Sequence, residues 1–506
     1  MNAYAEIELG GGSAAFAAAT AAAPEAESIV IVNKGLPMGG TCVNVGCSMI
    51  PIIEFVLGGH DLTCVVVPSK FLIQAAHVTS PHNTSPSFHG IKNSTDRVFD
   101  FSALTAQNRA LVEGLRQEKY AKVIANLDNV EYIEGLGRLD RVEGQLVVEV
   151  RSSHEDQTPF KSIPADRVIL ASGVRTSVPD HLADDLGGIK YMTNETAYFE
   201  PNRPESLIVL GGGYIALEAA QMFSRLGSKV TVLQRSKYVL SSLEHDISSG
   251  LAEQFRAEGI NVEVGIDITS VVSGEDGVVV KGVSGTTKRA FTASKLFLAA
   301  GRCANTEHIS SLPIKLASTP HGGFVVSNTL QTSIPEVYAA GDCVADSPQY
   351  VYTAAAEGQL AALNALGTLR DRESRQVDYS TVPWVVFTSP SVAGVGLGLT
   401  EARAKGIDAD ASSLPLHLLP RAIVQQETRG FVTLIRDRSD DCIVGARVLA
   451  EEGGELAMEA SLAVRYKVKS RDLAAMLHPY LTWNEAWKLA ALGFSKDVKT
   501  LSCCAT

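Results

Sequence analysis

Leu207-Ile208-Val209-Leu210-Gly211-Gly212-Gly213-Tyr214-Ile215-Ala216 decides how this chain folds. Four consecutive apolar residues predict a strand covered on both faces, as in a parallel sheet. The glycines then permit a tight turn, and a helical pattern runs through Leu226, with Gly227 as its cap. The next apolar strand is 230–233. Gly10-Gly11-Gly12-Ser13-Ala14-Ala15 makes the same turn near the N-terminus. It is followed by an alanine-rich, helix-favouring run to Ala23 and an apolar strand at 29–32. Two strand–turn–helix–strand units in one chain are a duplicated nucleotide-binding unit.

A Gly-x-Gly-x-x-Ala turn lets backbone N–H groups and a helix N-terminus meet a pyrophosphate. One such turn is equally a structural corner; two, each between strand and helix, point to dinucleotides. The residue ending the second strand of a unit ordinarily reads the adenosine ribose. In the first unit it is Asn33, where an acid is expected, which weakens that contact. In the second it is Gln234, with Arg235 and Lys237 after it. No carboxylate accepts from a 2′-hydroxyl there, and the cations suit a 2′-phosphate, so NADPH is favoured over NADH. The plainer alternative makes Arg235 and Lys237 solvated surface charges.

Further along, 101–126 reads as a long amphipathic helix and 130–150 as short strands. Buried strands ending in small residues recur at Val168 through Ser172-Gly173, at Leu296 through Gly301, and at Val337 through Gly341-Asp342. Strands at 431–435 and 443–449 then alternate with helices. The expected fold is α/β: two Rossmann-like domains and a C-terminal α+β domain. The first Rossmann-like domain comprises 1–185 and 305–378, the second 186–304, and the C-terminal domain 379–506. One feature conflicts: a first strand at 5–9 puts Glu6 and Glu8 in a sheet covered on both faces.

Composition excludes other classes. The chain has 506 residues, 45% of them hydrophobic and 20% charged, which excludes disorder. A net charge of -12 argues against nucleic acid. Eight cysteines are too few for a disulfide-stapled secreted scaffold. No signal peptide is evident, and the most apolar window, 48–67, holds Pro51, Glu54, His60 and Asp61, a poor membrane span. A cytoplasmic location without a membrane partner is expected.

Gly39-Gly40-Thr41-Cys42-Val43-Asn44-Val45-Gly46-Cys47 is the most specific local motif. A zinc site would need a second cysteine pair at suitable spacing, so a redox-active dithiol is the better reading. Cys303, Cys343 and Cys442 lie in or beside apolar runs and read as packed residues. The two nucleotide units, the Cys-x4-Cys, Gly341-Asp342 and the C-terminal domain together resemble the pyridine nucleotide–disulfide oxidoreductase family across almost the whole chain. The resemblance implies FAD on the first unit, NADPH on the second, and a homodimer built by the last domain. It assigns Gly10, Gly12, Ser13, Ala14, Ala15, Gly40, Thr41, Gly137, Ser172, Gly173, Gly341, Asp342 and Val351 to the flavin. It assigns Gly211, Gly213, Tyr214, Gln234, Arg235, Lys237 and Gly301 to the nicotinamide dinucleotide. Lys70 and Glu218 become a pair beside the flavin, and Tyr214 the ring gating the nicotinamide pocket. Cys47 becomes the flavin-side thiol and Cys42 the interchange thiol.

Members that reduce organic disulfides carry a catalytic histidine in the interface domain. The matching segment here is Leu477-His478-Pro479-Tyr480-Leu481-Thr482, with Tyr480 in the histidine's place. A tyrosine of ordinary pKa, about 10, is a poor proton shuttle at pH 7. With the terminal Cys503-Cys504, this resembles the family's mercury-reducing members, which implies Hg(II) as a thiolate complex for substrate, held by Cys42, Cys47, Cys503 and Cys504. Soft thiolates suit such an ion. Cys503-Cys504-Ala505-Thr506 also fits a prenylation box, without the polybasic segment that would support it. The 19 residues at 48–66 interrupt the family pattern between Cys47 and Val67-Pro68-Ser69-Lys70. They are either a translated intron, which transcript sequencing would reveal, or a true insertion. Two rival functions stay open: an organic disulfide reductase like dihydrolipoamide dehydrogenase or glutathione reductase, and a metal-binding flavoprotein disabled by the insertion.

Overall fold

The computed structural model describes residues 6–34, 38, 67–79, 100–367 and 376–498, apart from 157, 276, 308, 310–313 and 321. The first domain is built on a five-stranded parallel sheet in the order Val337–Ala339, Val168–Leu170, Glu6–Leu9, Ile29–Asn33, Val130–Glu134. The Glu6–Leu9 strand forms despite its acidic residues and is paired on both sides, with Ile7 and Leu9 buried. The side chains of Glu6 and Glu8 lie outside the description. Helix α1, Ser13–Ala22, follows it, and its alanine face packs on a later helix. Helix α2, Val67–Thr79, carries Lys70. Helix α3, Phe101–Arg116, is capped by the Asp100 side chain on the Ala103 N–H and runs on through a π turn to Ala125.

The second domain repeats the plan in four parallel strands ordered Asn261–Val264, Lys229–Gln234, Ser206–Leu210, Lys295–Leu298. Helix α4, Tyr214–Arg225, follows its glycine turn, and Gly227 takes the left-handed position (φ 95°) just beyond it. A two-stranded ribbon, Val174–Thr176 against Arg302–Ala304, joins the domains. Helix α5, Val351–Leu366, then returns to the first sheet. It crosses α1 at backbone distance: a Cβ on Gly358 would lie 2.0 Å from the Ala14 carbonyl oxygen.

The last domain is a five-stranded antiparallel sheet, Trp384–Val386, Ser391–Gly396, Ile443–Ala450, Phe431–Asp437, Ala409–Pro415, backed by helices around buried Trp483 and Trp487. It is tied to α4 along one helical face. Glu218 accepts the Phe387 N–H at 2.9 Å, and Gln221 both accepts the Ser389 N–H and donates to its carbonyl. Arg225 donates to the same carbonyl and pairs with buried Glu258 at 2.7 Å. Spacings of three, four and seven residues put Glu218, Gln221 and Arg225 on one stripe.

Candidate functional site

The two glycine turns make the same contacts. Gly10 has φ 138°, and a Cβ there would lie 2.3 Å from the Ala171 carbonyl oxygen. Gly211 has φ 120°, and its Cβ would lie 2.1 Å from that of Ala299. A Cβ on Gly11 would strike Asn33, and one on Gly212 would press Gln234. Only glycine admits a backbone so close to the neighbouring strand. Both helices then begin on an extended glycine, Gly12 or Gly213, with no side-chain cap and no acidic residue in the first turn. Such N-termini present backbone N–H groups and the positive end of the helix dipole, which fits a dinucleotide pyrophosphate. At the outer end of the second unit, Arg235 and Lys237 are exposed beside Gln234. In the first unit, Asn33 donates to the Tyr132 hydroxyl at 3.0 Å.

A cavity of about 150 Å³ opens at the α4 N-terminus. Gly213, Tyr214, Gly301, Arg302, Thr176 and Gln349 line it. Arg302 stands 5.3 Å from the centre of the Tyr214 ring and 3.5 Å from Asp342 Oδ2. Burial pushes the Asp342 carboxyl up, and Arg302 draws it partly back. Gly341, with φ 81°, donates its N–H to Glu357 at 2.6 Å. Glu357 also accepts from Ser347 (2.5 Å) and Tyr379 (2.7 Å), although burial still raises its pKa. This buried carboxylate fixes the backbone that presents Asp342.

Lys70 and Glu218 meet although 148 residues separate them: Lys70 Nζ is 2.5 Å from Glu218 Oε2. Glu218 is only 6% exposed, and its other oxygen is held by the Phe387 N–H. The Phe387 ring also lies 4.4 Å from the ammonium. Helices α2 and α4 and the last domain therefore converge on one ion pair.

Other expected positions have local duties. The Ser172 hydroxyl donates to the Asn305 carbonyl at 2.6 Å, and Gly173 turns with φ 66°. Gly137 admits close packing, since a Cβ would lie 2.4 Å from Leu9 Cδ2. Ser13 and Val351 open α1 and α5, and Ala14 and Ala15 are buried against α5 and the sheet. Cys343 and Cys442 are buried and Cys303 half-buried. Tyr480 is 57% exposed in the single chain. His478 contacts Glu459 (2.8 Å) and the Met476 carbonyl (3.3 Å), so both its nitrogens are engaged within its own domain. Glu485 accepts the Leu481 N–H at 2.8 Å. Gly40, Thr41, Cys42, Cys47, the 48–66 segment, Cys503 and Cys504 lie outside the described residues. Among the described residues, no three His, Cys, Asp or Glu side chains are grouped to hold a metal ion.

Sequence reasoning missed Arg302, Phe387 and Glu357. Arg302 was within reach, since it directly follows Gly301; the others meet the site only through the fold.

Tandem dinucleotide cradles, a cavity at the mouth of the second and a C-terminal antiparallel domain define a flavin- and nicotinamide-dependent oxidoreductase. Residues 9–358 match the pyridine nucleotide-disulphide oxidoreductase profile and 382–491 its dimerisation domain; the chain belongs to that family. Its cofactors are FAD and NADPH. It is 36% identical over 503 residues to a mercuric reductase of Shigella flexneri, covering 98% of this chain and 82% of that protein. A mercuric reductase of Streptomyces lividans is 36% identical over 497 residues, covering 98% and 97%. Among solved structures, LpdA of Mycobacterium tuberculosis superposes with a TM-score of 0.79 at 24% identity, covering 97% of this chain and 100% of that one. The HOCl-induced flavoprotein disulfide reductase RclA of Escherichia coli gives 0.77 at 22%, covering 96% and 99%. These two share the fold.

Proposed function

We propose that this oxidoreductase reduces Hg(II) to Hg(0) with electrons from NADPH, through the Cys42–Cys47 dithiol. Full-length similarity to proteins named mercuric reductase carries the reading. Tyr480 in the position of a catalytic histidine agrees with it, because a metal ion needs no thiol proton returned to a leaving group.

Bound FAD supplies the two-electron relay between the nicotinamide and the thiols. Gly213 and the first turn of α4 bind the NADPH pyrophosphate, and Arg235 and Lys237 its 2′-phosphate. Tyr214 covers the nicotinamide pocket and yields to it. Lys70, anchored by Glu218, holds a fixed positive charge beside the flavin ring, where it favours added negative charge. Asp342, presented by the Glu357-held turn, binds the ribityl chain. Cys503 and Cys504 of the partner subunit capture Hg(II) and pass it by thiolate exchange to Cys42 and Cys47. Two electrons then reach the ion, both Hg–S bonds break, and the thiolates remain. A homodimer is supported by the dimerisation-domain match and by apolar side chains exposed on that domain, Met458, Leu462, Tyr466 and Leu477 among them.

NADPH-dependent release of volatile mercury tests this in the full chain, in a chain lacking 48–66, and in Cys503→Ala/Cys504→Ala. Release by the full chain, slowed in the double variant when competing thiols are scarce, is expected. Reduction of glutathione disulfide or lipoamide without mercury release would replace the proposal by organic disulfide reduction. No new thiols after NADPH addition would mean a disabled dithiol.

A further inference from the structure

We propose that Tyr132 is a positioning residue for the adenosine ribose of FAD: its hydroxyl holds the Asn33 amide so that Asn33 presents an acceptor where a carboxylate is expected. This rests on the first unit's being the FAD site and explains how that unit works without its acid. Asn33 ends the strand Ile29–Asn33, the position whose side chain ordinarily accepts from the ribose. A carboxylate offers an acceptor whichever way it is turned. An amide accepts only on its oxygen, and its nitrogen only donates. An asparagine there therefore has to be held in one orientation.

The neighbouring strand supplies the hold. In the parallel register Tyr132 stands opposite Ile31, so its side chain leaves the same sheet face as that of Asn33, two residues further on. Its ring packs on the cluster that includes Ile31 and the α1 alanines, and its hydroxyl accepts from Asn33 Nδ2 at 3.0 Å. That bond fixes the nitrogen end of the amide, so the oxygen is the end to which an incoming ribose hydroxyl can donate. The same amide lies against the glycine turn: a Cβ on Gly11 would come within 2.6 Å of Asn33 Cγ and 3.0 Å of its Oδ1. Asn33 and Tyr132 are both half-buried, so the pair keeps contact with solvent beside the turn. The second unit also sets an amide there, Gln234 against Gly212, but ties it to a backbone oxygen, the Tyr238 carbonyl, at 3.4 Å.

The test follows FAD release from the diluted holoenzyme by the rise in flavin fluorescence. Tyr132→Phe, which keeps the packed ring and removes only the hydroxyl, is made in the parent and in the Asn33→Ala and Asn33→Asp backgrounds. In the parent it is expected to speed release roughly two- to tenfold, the worth of one hydrogen bond. In Asn33→Ala it should add nothing, because Tyr132 acts only through the amide. In Asn33→Asp it should add little, because a carboxylate accepts in either orientation. Release at the parental rate in Tyr132→Phe overturns the proposal. The same acceleration in every background assigns Tyr132 a structural role and overturns it as well. Asn33→Ala that releases FAD as the parent does also overturns it, and leaves the first unit standing as the FAD site. A Gly10→Ala protein that holds FAD as the parent does overturns the site assignment itself.

Discussion

At the scale of single residues, buried carboxyls divide by what faces them. Glu218 has a cation on one oxygen and a backbone N–H on the other. Glu357 collects three donors and serves the turn that carries Asp342. Glu195 is 4% exposed, its Oε1 has no partner among the described residues, and burial pushes its pKa up to about 9. In the unfolded chain it ionises near 4.5. Between those values the folded carboxyl keeps a proton that the unfolded one has lost. Its contribution therefore makes stability fall as pH rises through that window, with a slope of up to about 1.4 kcal/mol per pH unit. Glu195→Gln removes this dependence. Thermal melts should show the variant close to the parent near pH 5 and more stable near pH 8.5. Melting curves that stay parallel across that range would contradict a neutral Glu195.

At the scale of elements, function rests on the strand–turn–helix unit and its second use. Each turn runs against a carbonyl of the neighbouring strand, so the requirement for glycine belongs to the packing of two strands and a helix together. Gly211→Ala sets a Cβ 2.1 Å from the Ala299 oxygen in a backbone conformation that L side chains resist. It should purify with FAD bound and fail to bleach its flavin with NADPH, while dithionite still reduces it. Gly10→Ala, with the same conflict in the first unit, should instead lose FAD. Absorbance at the flavin band reads both. A Gly211→Ala protein that NADPH reduces at the parental rate would show that the second unit is not the nicotinamide site.

At the scale of the whole molecule, the Lys70–Glu218 pair is held by three bodies at once. The stripe Glu218, Gln221, Arg225 on α4 grips the 387–389 segment, and that grip sets the Phe387 ring of the last domain against Lys70. Also on the last domain, Leu477 is 94% exposed, and its sequence neighbours Met476 and Tyr480 are exposed as well. Leu477→Asp places a carboxylate where a second copy would bury it, which is expensive, yet in the single chain it meets only water. Sedimentation equilibrium should show the dimer weakened at least about tenfold, with the far-ultraviolet circular dichroism of each chain unchanged. An unaltered dimer would move the interface away from this loop.

Both nucleotide units, their order, and the cationic end of the second were legible in the sequence. A phosphate-binding turn is a local object: strand, glycines and helix lie within one short stretch, and their apolar runs and small residues declare it. Lys70 and Glu218 were named through family resemblance, but their contact across 148 positions exists only because α2 packs on α4. Phe387, the Glu357 clamp, and the meeting of Arg302 with Tyr214 and Asp342 had no local signature at all. They depend on which surfaces the domains bring together, and nothing in the spacing of residues along a chain encodes that.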